Sequence, residues 1–219
     1  MAKRIGVILS GCGVYDGAEI HESVITMLAL DRAGAEMVVC APNREQMHVV
    51  NHLTGDAAEG ESRNVLVESA RIARGAIRDV AEVRADELHA LILPGGFGAA
   101  KNLCTFAVEG ADCEVDPGVA ALVREVHAQG KPVAAVCIAP ALLAKVFGDE
   151  GPKVTIGSDL DTAGAIEAMG ATHVNCPVRE FVVDEERKII TSPAYMLAQT
   201  MSEAAEGIEK TVAELLRLA

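Results

Sequence analysis

The stretch PVAAVCIAPALL, residues 132–143, joins a short apolar run to a sequence typical of a helix start. The run KPVAAV predicts a buried strand, and a short helix is expected after Cys137. Where a strand turns sharply into a helix, the corner side chain is exposed and its neighbours two positions away must be small. Ala135 and Ala139 meet that requirement. The stretch therefore predicts an elbow with a thiol at its corner, in an α/β fold.

Strands and helices alternate on both sides of this elbow. The predicted strands are continuous apolar runs, which is typical of a mostly parallel sheet with helices on both faces. Two further strands around DEER, 184–187, predict an antiparallel hairpin. The other predicted strands are 4–9, 36–42, 89–96 and 131–136. The predicted helices are 19–33, 62–74, 98–103, 116–130, a short one after Cys137, 161–169 and 197–217, and residues 43–61 are expected to leave the sheet.

Size and charge narrow the class of protein. The 219 residues are half hydrophobic, which suffices for one sizeable core, and without a visible linker we expect one domain over 1–219. The formal charge of −13 repels phosphates and anionic lipids, so we expect neither nucleic acid nor membrane as a partner. No apolar run reaches the roughly 20 residues of a membrane helix, and no signal-peptide pattern is present. These features predict a cytoplasmic protein.

The cysteines and histidines show no pattern of a disulfide framework or a metal site. None of the six cysteines forms a CxxC pair, so we expect free thiols. No HxH or HExxH motif occurs among the six histidines, so we expect no metal. We assign no site role to Cys40, Cys104, Cys113 or Cys176, because unpaired intracellular cysteines are mostly small buried hydrophobes.

Ligands of open parallel sheets bind outside the carboxyl ends of the strands. Four loops qualify here: SGCGVYDG (10–17), PGGFGAAKN (94–102), the turn at Cys137, and TSPAYM (191–196). At the elbow, the helix N-terminus favours the thiolate, which is the form that attacks electrophiles. The N–H groups of Ile138 and Gly96 are candidate donors to an oxyanion.

The loop after the first strand contributes a candidate carboxylate. Glu19 lies in the first turn of the following helix, where it serves either as a helix-start charge or, beside the thiol, as a proton carrier. His21 and Glu22 share that turn and are alternatives. A dinucleotide-binding loop is excluded, since the third glycine of G-x-G-x-x-G would have to be Asp16. Cys12 lies in the same loop, where it either packs the loop or serves as a redox partner of Cys137.

Several separated motifs carry a family resemblance. With SGCGVYDGAEIHE, NHLTG, PGGFGAAKNL, CIAPALL and TSPAYMLAQ, the chain resembles the ElbB subfamily of the ThiJ/PfpI superfamily, relatives of class I glutamine amidotransferase domains known as isoprenoid biosynthesis proteins. The resemblance implies a flavodoxin-like α/β sandwich that is often dimeric. It places the elbow nucleophile on Cys137, the glutamate on Glu19, and the oxyanion donors on Gly96 and Ile138.

The resemblance also implies an activity. ElbB relatives have been assigned a cofactor-independent glyoxalase activity, conversion of glyoxal to glycolate, and the wider superfamily includes deglycases. Many superfamily members have His after the elbow cysteine, where this chain has Ile138, so a small aldehyde is a better expected substrate than glutamine. His173 is a candidate to approach the thiol through the fold, although a single histidine near a strand is more often structural. The alternative is a non-catalytic redox sensor or regulator in isoprenoid metabolism, using the same exposed thiol.

Overall fold

The computed structural model describes residues 2–219. The strands are β1 (Arg4–Ile8), β2 (Glu36–Ala41), β3 (Arg78–Asp79), β4 (Ala90–Leu93), β5 (Val133–Val136), β6 (Lys153–Val154), β7 (Thr172–His173), β8 (Val182–Asp184) and β9 (Ile189–Ser192). Seven of them form one sheet in the order β3-β2-β1-β4-β5-β9-β8. Neighbouring strands in this sheet are parallel, except for β8 and β9, which form the predicted antiparallel hairpin.

The helices are α1 (Ile20–Arg32), α2 (Val65–Ile72), α3 (Phe97–Lys101), α4 (Phe106–Glu109), α5 (Pro117–Ala128), α6 (Pro140–Phe147), α7 (Leu160–Ala168) and α8 (Met201–Leu218). The predicted start of α5 is confirmed, because the Asp116 carboxylate accepts the Val119 N–H and Pro117 occupies the first helical position. The predicted start of α8 is wrong by four residues. Thr200 caps it, and residues 194–196 form a separate 3₁₀ turn.

Two apolar cores lie on opposite faces of the sheet, because successive strand residues point to opposite sides. In β4, Leu91 and Leu93 join one core, which is covered by α5 and α6. Ala90 and Ile92 join the other, which is covered by α1 and α8. The predicted fold class, an α/β sandwich with a mostly parallel sheet and helices on both faces, is confirmed.

Three short strands were not predicted. β3 extends the edge of the main sheet beside β2, while β6 and β7 pair with each other in a separate two-stranded sheet. Each has two residues, which is too short to show a period in the sequence. No helix within residues 2–219 combines the length and the apolar composition needed to cross a membrane.

The order of strands places a crevice at the carboxyl ends of β1 and β4. In the sheet, β2 lies on one side of β1 and β4 on the other. The chain therefore leaves β1 toward one edge of the sheet, to β2, and leaves β4 toward the other edge, to β5. Ligands of such sheets bind where the direction of strand addition changes in this way. The loops that follow β1 and β4 meet there. Phe97 N–H donates to Val14 at 2.8 Å, and Gly98 N–H donates to Gly17 at 2.8 Å.

Candidate active site

The chain turns sharply at Cys137, between β5 and α6. The φ angle of Cys137 is +62°, a value that residues with a side chain rarely adopt. Its N–H donates to the Ser192 carbonyl at the end of β9, at 2.9 Å, which ties the turn to the sheet. Ala135 and Ala139 are buried on either side. The structure thus has a nucleophile elbow at Cys137, and its thiol reaches the wall of a cavity.

Two backbone N–H groups point at the Cys137 sulfur. They belong to Gly96 and Ile138, and both lower the pKa of the thiol by hydrogen bonding to it. Gly96 has a φ of +92°, and a Cβ there would lie 2.4 Å from the Glu19 nitrogen, so only glycine fits. The two donors predicted for an oxyanion therefore converge at the sulfur, where negative charge would develop.

The carboxyl group beside the thiol is that of Glu22. It is completely buried and hydrogen-bonds with Cys137. Its Oε2 accepts the Gly95 N–H at 3.0 Å, and its Oε1 accepts the Tyr195 N–H at 3.1 Å. A Cβ on Gly95 would lie 2.4 Å from the Cys137 Cβ and 2.8 Å from Glu22 Oε2, so this glycine permits the close approach of thiol and carboxyl.

Burial raises the pKa of both groups of this pair. The pKa of Glu22 rises from 4.5 to about 7, mainly by burial, while the N–H groups of Tyr195 and Gly95 counteract the rise. The pKa of the Cys137 thiol is raised well above its usual value, first by burial and then by the negative charge of Glu22. The expectation that the helix end favours a thiolate is therefore corrected, since burial and the neighbouring carboxylate outweigh the two N–H donors.

Glu19 lies in the same region but has a different position. It caps α1, where its Oε2 accepts the Glu22 N–H at 2.6 Å, and its own N–H donates to the Gly95 carbonyl. The side chain lines the cavity. Of the two alternatives to Glu19, Glu22 is the one that contacts the thiol. The His21 ring bonds to the Tyr195 hydroxyl at 2.9 Å.

The cavity over the thiol has a volume of about 500 Å³ and is largely apolar. Its polar groups are few, which is typical of pockets that bind small neutral molecules. Glu19 and Tyr195 supply two of them. The remaining wall comes from the loops after β1, β4 and β5, from α3, α4 and α7, and from the 3₁₀ turn after β9: Val14, Gly96, Phe97, Ala100, Phe106, Ala107, Cys137, Ile138, Thr162 and Met196.

Two further candidates from the sequence analysis, His173 and Cys12, do not line this cavity. His173 lies in β7, where its Nε2 accepts the Ile156 N–H at 3.3 Å and burial lowers the pKa of the ring. Cys12 is partly exposed in the loop after β1, and its pKa is raised by burial and by Glu68. Across residues 2–219, no group of three His, Cys, Asp or Glu side chains is placed to hold a metal ion.

A sequence signal for Glu22 exists in the period of α1. Residues 22, 25, 26 and 30 of this helix are buried, which is the spacing of one helix face. A glutamate inside such an apolar stripe has to be hydrogen-bonded, or to hold its proton. Gly95 and Tyr195 have no comparable local signal, because their role depends on backbone N–H groups that meet only in the fold.

Comparison with known proteins identifies the family. The profile of the DJ-1/PfpI family matches residues 12–205. The chain belongs to this family. It is 48% identical over 226 residues to the human "glutamine amidotransferase-like class 1 domain-containing protein 3, mitochondrial", covering 99% of this chain and 84% of that protein. It is 46% identical over 224 residues to the rat "ES1 protein homolog, mitochondrial", covering 98% and 84%.

A solved structure matches over the same length. The crystal structure of an isoprenoid biosynthesis protein with an amidotransferase-like domain from Ehrlichia chaffeensis superposes with a TM-score of 0.91 at 38% identity. The match covers 99% of this chain and 100% of that one. The comparisons thus confirm the DJ-1/PfpI fold and the relationship to amidotransferase-like domains. They contradict the cytoplasmic prediction, because the human and rat relatives are named mitochondrial proteins.

Proposed function

We propose that the protein is a cofactor-independent glyoxalase that converts small dicarbonyls, such as glyoxal, to the hydroxy acid through Cys137. One observation carries the proposal: a buried carboxyl group, Glu22, with a pKa of about 7, hydrogen-bonds the thiol at the floor of an apolar cavity. A general base is most effective when its pKa is close to the working pH. The pair can therefore move one proton off the sulfur and back again near neutrality.

In the first step, Glu22 accepts the thiol proton while the Cys137 sulfur attacks an aldehyde carbon. The C–S bond forms, and the carbonyl π bond becomes an alkoxide. The N–H groups of Gly96 and Ile138, which lower the pKa of the thiol, are the proposed donors to that alkoxide. The alkoxide then takes the proton back from Glu22, so the product of this step is a hemithioacetal at Cys137.

In the second step, the hydrogen on the attacked carbon is removed as a proton to give an enediol, and a proton is added to the neighbouring carbon. The hydroxyl proton of the hemithioacetal passes to the neighbouring oxygen, so that the step is an isomerisation with no net gain or loss of protons. Glu19 is the carboxylate for this transfer, because its side chain lines the cavity, whereas Glu22 is completely buried. The attacked carbon becomes a thioester and its neighbour an alcohol, so one carbon is oxidised and the other reduced. Water then cleaves the thioester, which releases glycolate and restores the thiol.

The surroundings of Cys137 favour a neutral aldehyde over other substrates of a cysteine nucleophile. Many members of the superfamily have a histidine directly after the elbow cysteine, where it can assist amide hydrolysis. This chain has Ile138 at that position, so glutamine is disfavoured as a substrate. The Glu19 carboxylate in the cavity and the formal charge of −13 disfavour anionic substrates. An aldehyde is already electrophilic and needs no protonated leaving group. Deglycation of proteins would use the same thiol on an aldehyde-derived adduct.

We assign the chain more narrowly to the ElbB subfamily, as a single domain over 1–219 that forms a homodimer. The subfamily is supported by the motifs quoted above and by the relative described as an isoprenoid biosynthesis protein. The dimer is supported by an exposed apolar stripe on α1, with Ile20, Val24 and Leu28 spaced four residues apart. Sedimentation equilibrium tests it, and a monomer at micromolar concentration contradicts it.

The alternative, a redox sensor that uses Cys137, has less support. A sensor cysteine is an accessible thiolate of low pKa. Burial and the charge of Glu22 raise the pKa of Cys137 instead, and only 7% of the residue is exposed. A thiol whose proton is taken by a neighbouring base during the reaction suits catalysis better than sensing.

The test is production of glycolate from glyoxal by the purified protein, followed by proton NMR without added thiol or metal. Cys137→Ala should lower the rate at least about 10³-fold, since the nucleophile acts as a unit with its base. Cys40→Ala, which changes a buried thiol in β2, is the matched control and should retain the rate. A Cys137→Ala rate equal to that of the wild type would refute the proposed function.

A further inference from the structure

Two cysteines, Cys104 and Cys113, lie beside the cavity over Cys137, at the two ends of the segment that contains α4. The chain on either side of this segment pairs in antiparallel fashion. Cys104 and Val115 form a β-bridge, and the Thr105 N–H donates to the Glu114 carbonyl at 3.0 Å. This pairing brings Cys113, two residues before Val115, next to Cys104.

Both thiols are buried, and each shifts the pKa of the other. Cys104 Sγ also lies 3.3 Å from the Ala99 carbonyl oxygen, and Cys113 Sγ lies 3.8 Å from Met169 Sδ. The hydrogen bond from Cys104 and the charge of Lys145 lower the pKa of Cys113, while the pKa of Cys104 is raised. Cys113 is thus the better nucleophile of the two, and Cys104 is the thiol that keeps its proton.

We propose that Cys104 and Cys113 are a reversible oxidation site that forms an intramolecular disulfide on reaction with a hydroperoxide. The Cys113 sulfur attacks the peroxide, the O–O bond breaks, and an alcohol or water leaves with a proton. The Cys104 sulfur then attacks the sulfenic acid at Cys113. The S–S bond forms, the S–O bond breaks, and water leaves, so that the dithiol loses two electrons and two protons to the peroxide.

The oxidant reaches the pair through α4. This helix has a single turn, Phe106–Glu109, and Val108 on it is 60% exposed. Short surface elements with few buried contacts open locally at low cost in free energy. Opening of this turn uncovers both thiols without unfolding the sheet, whereas Cys40, inside β2, has no such route.

The site has a consequence for the cavity. Phe106 and Ala107 lie between the two cysteines and line the cavity over Cys137. A disulfide from 104 to 113 joins both ends of this wall segment and restricts its movement. We therefore expect oxidised protein to admit molecules to Cys137 more slowly than reduced protein. The disulfide itself does not depend on the proposed glyoxalase activity.

The experiment maps the disulfide in the wild-type protein. Trypsin releases residues 102–124 as one peptide, which contains Cys104 and Cys113 and no other cysteine. After treatment with hydrogen peroxide, unfolding and alkylation, we expect this peptide to lack both alkyl groups and two hydrogens. Cleavage after Glu109 should then leave two fragments joined until dithiothreitol separates them. Protein that was not oxidised should carry both alkyl groups.

Variants provide the controls. Cys104→Ser should abolish the loss of two hydrogens and leave Cys113 to proceed to the sulfinic acid. Cys176→Ser changes a buried cysteine outside this segment, whose thiol donates to the Pro177 carbonyl oxygen at 3.5 Å, and should leave the disulfide unaffected. If peroxide leaves both thiols of wild-type peptide 102–124 alkylatable, or oxidises them singly without an S–S bond, the proposal is overturned. That result would leave the glyoxalase proposal standing.

Discussion

Two glutamates at opposite ends of the parallel sheet have opposite environments. Glu22 lies at the carboxyl end, beside Cys137, and among residues 2–219 no lysine or arginine pairs with it. Glu87 lies at the amino end, where Arg78 Nη1 is 2.9 Å and Arg4 Nη1 is 3.5 Å from its carboxylate. Both side chains also accept backbone N–H groups. The two carboxyl groups therefore differ in burial and in whether a cation pairs with them, since Glu22 is completely buried and the Glu87 side chain is 20% exposed.

The difference decides which glutamate can do chemistry. The hydrogen bond from Arg78 lowers the pKa of Glu87, so its charge is fixed at all ordinary pH values. Burial without a cation raises the pKa of Glu22 to about 7, so it exchanges its proton near neutrality. The sheet thus has an ion-pair network at one end and, at the other, a carboxyl group with a pKa of about 7.

The largest effect expected from this comparison is on turnover of glyoxal. Glu22→Gln keeps the shape of the side chain but cannot take the thiol proton, so kcat/KM should fall by about 10²-fold or more. Glu87→Gln, the same substitution at the opposite end, should leave kcat/KM unchanged. Steady-state rates of both variants at neutral pH check this, and equal rates for Glu22→Gln and wild type would remove Glu22 from the mechanism.

The pH dependence of stability should differ in sign between the two glutamates. Glu22 has a folded pKa of about 7 against an ordinary value of 4.5, so between these values the folded state binds more protons than the unfolded state. The free energy of unfolding should therefore fall as pH rises from 4.5 to 7, by about 3 kcal/mol at roughly 1.4 kcal/mol per pKa unit. The lowered pKa of Glu87 contributes in the opposite direction: its stabilisation is present above the ordinary value and is lost as pH falls.

Urea unfolding of wild type and Glu22→Gln between pH 4.5 and 8 measures this contribution. The amide does not titrate, so the difference between the two free energies should change across the window and level off above pH 7. Parallel curves for the two proteins would show that Glu22 titrates normally in the folded state.

The elbow could be predicted from the sequence because its requirements are local. The pattern lies at the end of one strand: Cys137 follows it, and small residues stand two positions before and after the thiol, at Ala135 and Ala139. The partner of the thiol could not be selected in this way. Glu22 is fixed by the N–H groups of Gly95 and Tyr195, which are 73 and 173 residues away along the chain. In the sequence Glu22 is only an alternative to Glu19 in the same helical turn, and only the packing of α1 on the sheet brings it to Cys137.

The pKa of the thiol also could not be predicted from local features. The helix N-terminus and two N–H groups favour a thiolate, and all of these can be inferred from the sequence around Cys137. Burial and the charge of Glu22 oppose them and are stronger. Both are properties of the assembled core, so the sign of the shift emerges only when the fold is known.

A smaller effect, on the free energy of unfolding, is expected at Gly95, where the carboxyl end of the sheet is closely packed. Gly95→Ala adds a Cβ 2.4 Å from the Cys137 Cβ, and the turn must shift to accept it, at a cost of about 2 kcal/mol. Gly164→Ala is the matched control, because a Cβ there meets nothing within 4 Å and α7 should gain about 0.5–1 kcal/mol. Thermal unfolding measures both changes, and a Gly95→Ala variant as stable as wild type would contradict the packing described for the thiol and Glu22.

The smallest effect on the free energy of unfolding is expected at the amino end of the sheet. Glu87→Gln removes the ion pairs with Arg78 and Arg4, but these side chains are partly exposed, so the loss of stability should be under about 1 kcal/mol. Because salt screens exposed charges, most of that loss should disappear at about 1 M NaCl. The effect of Glu22→Gln at pH 7 should persist in the same salt, since its carboxyl group is buried. If salt instead reduced both effects equally, the two glutamates would share one kind of environment, and the contrast between the two ends of the sheet would fail.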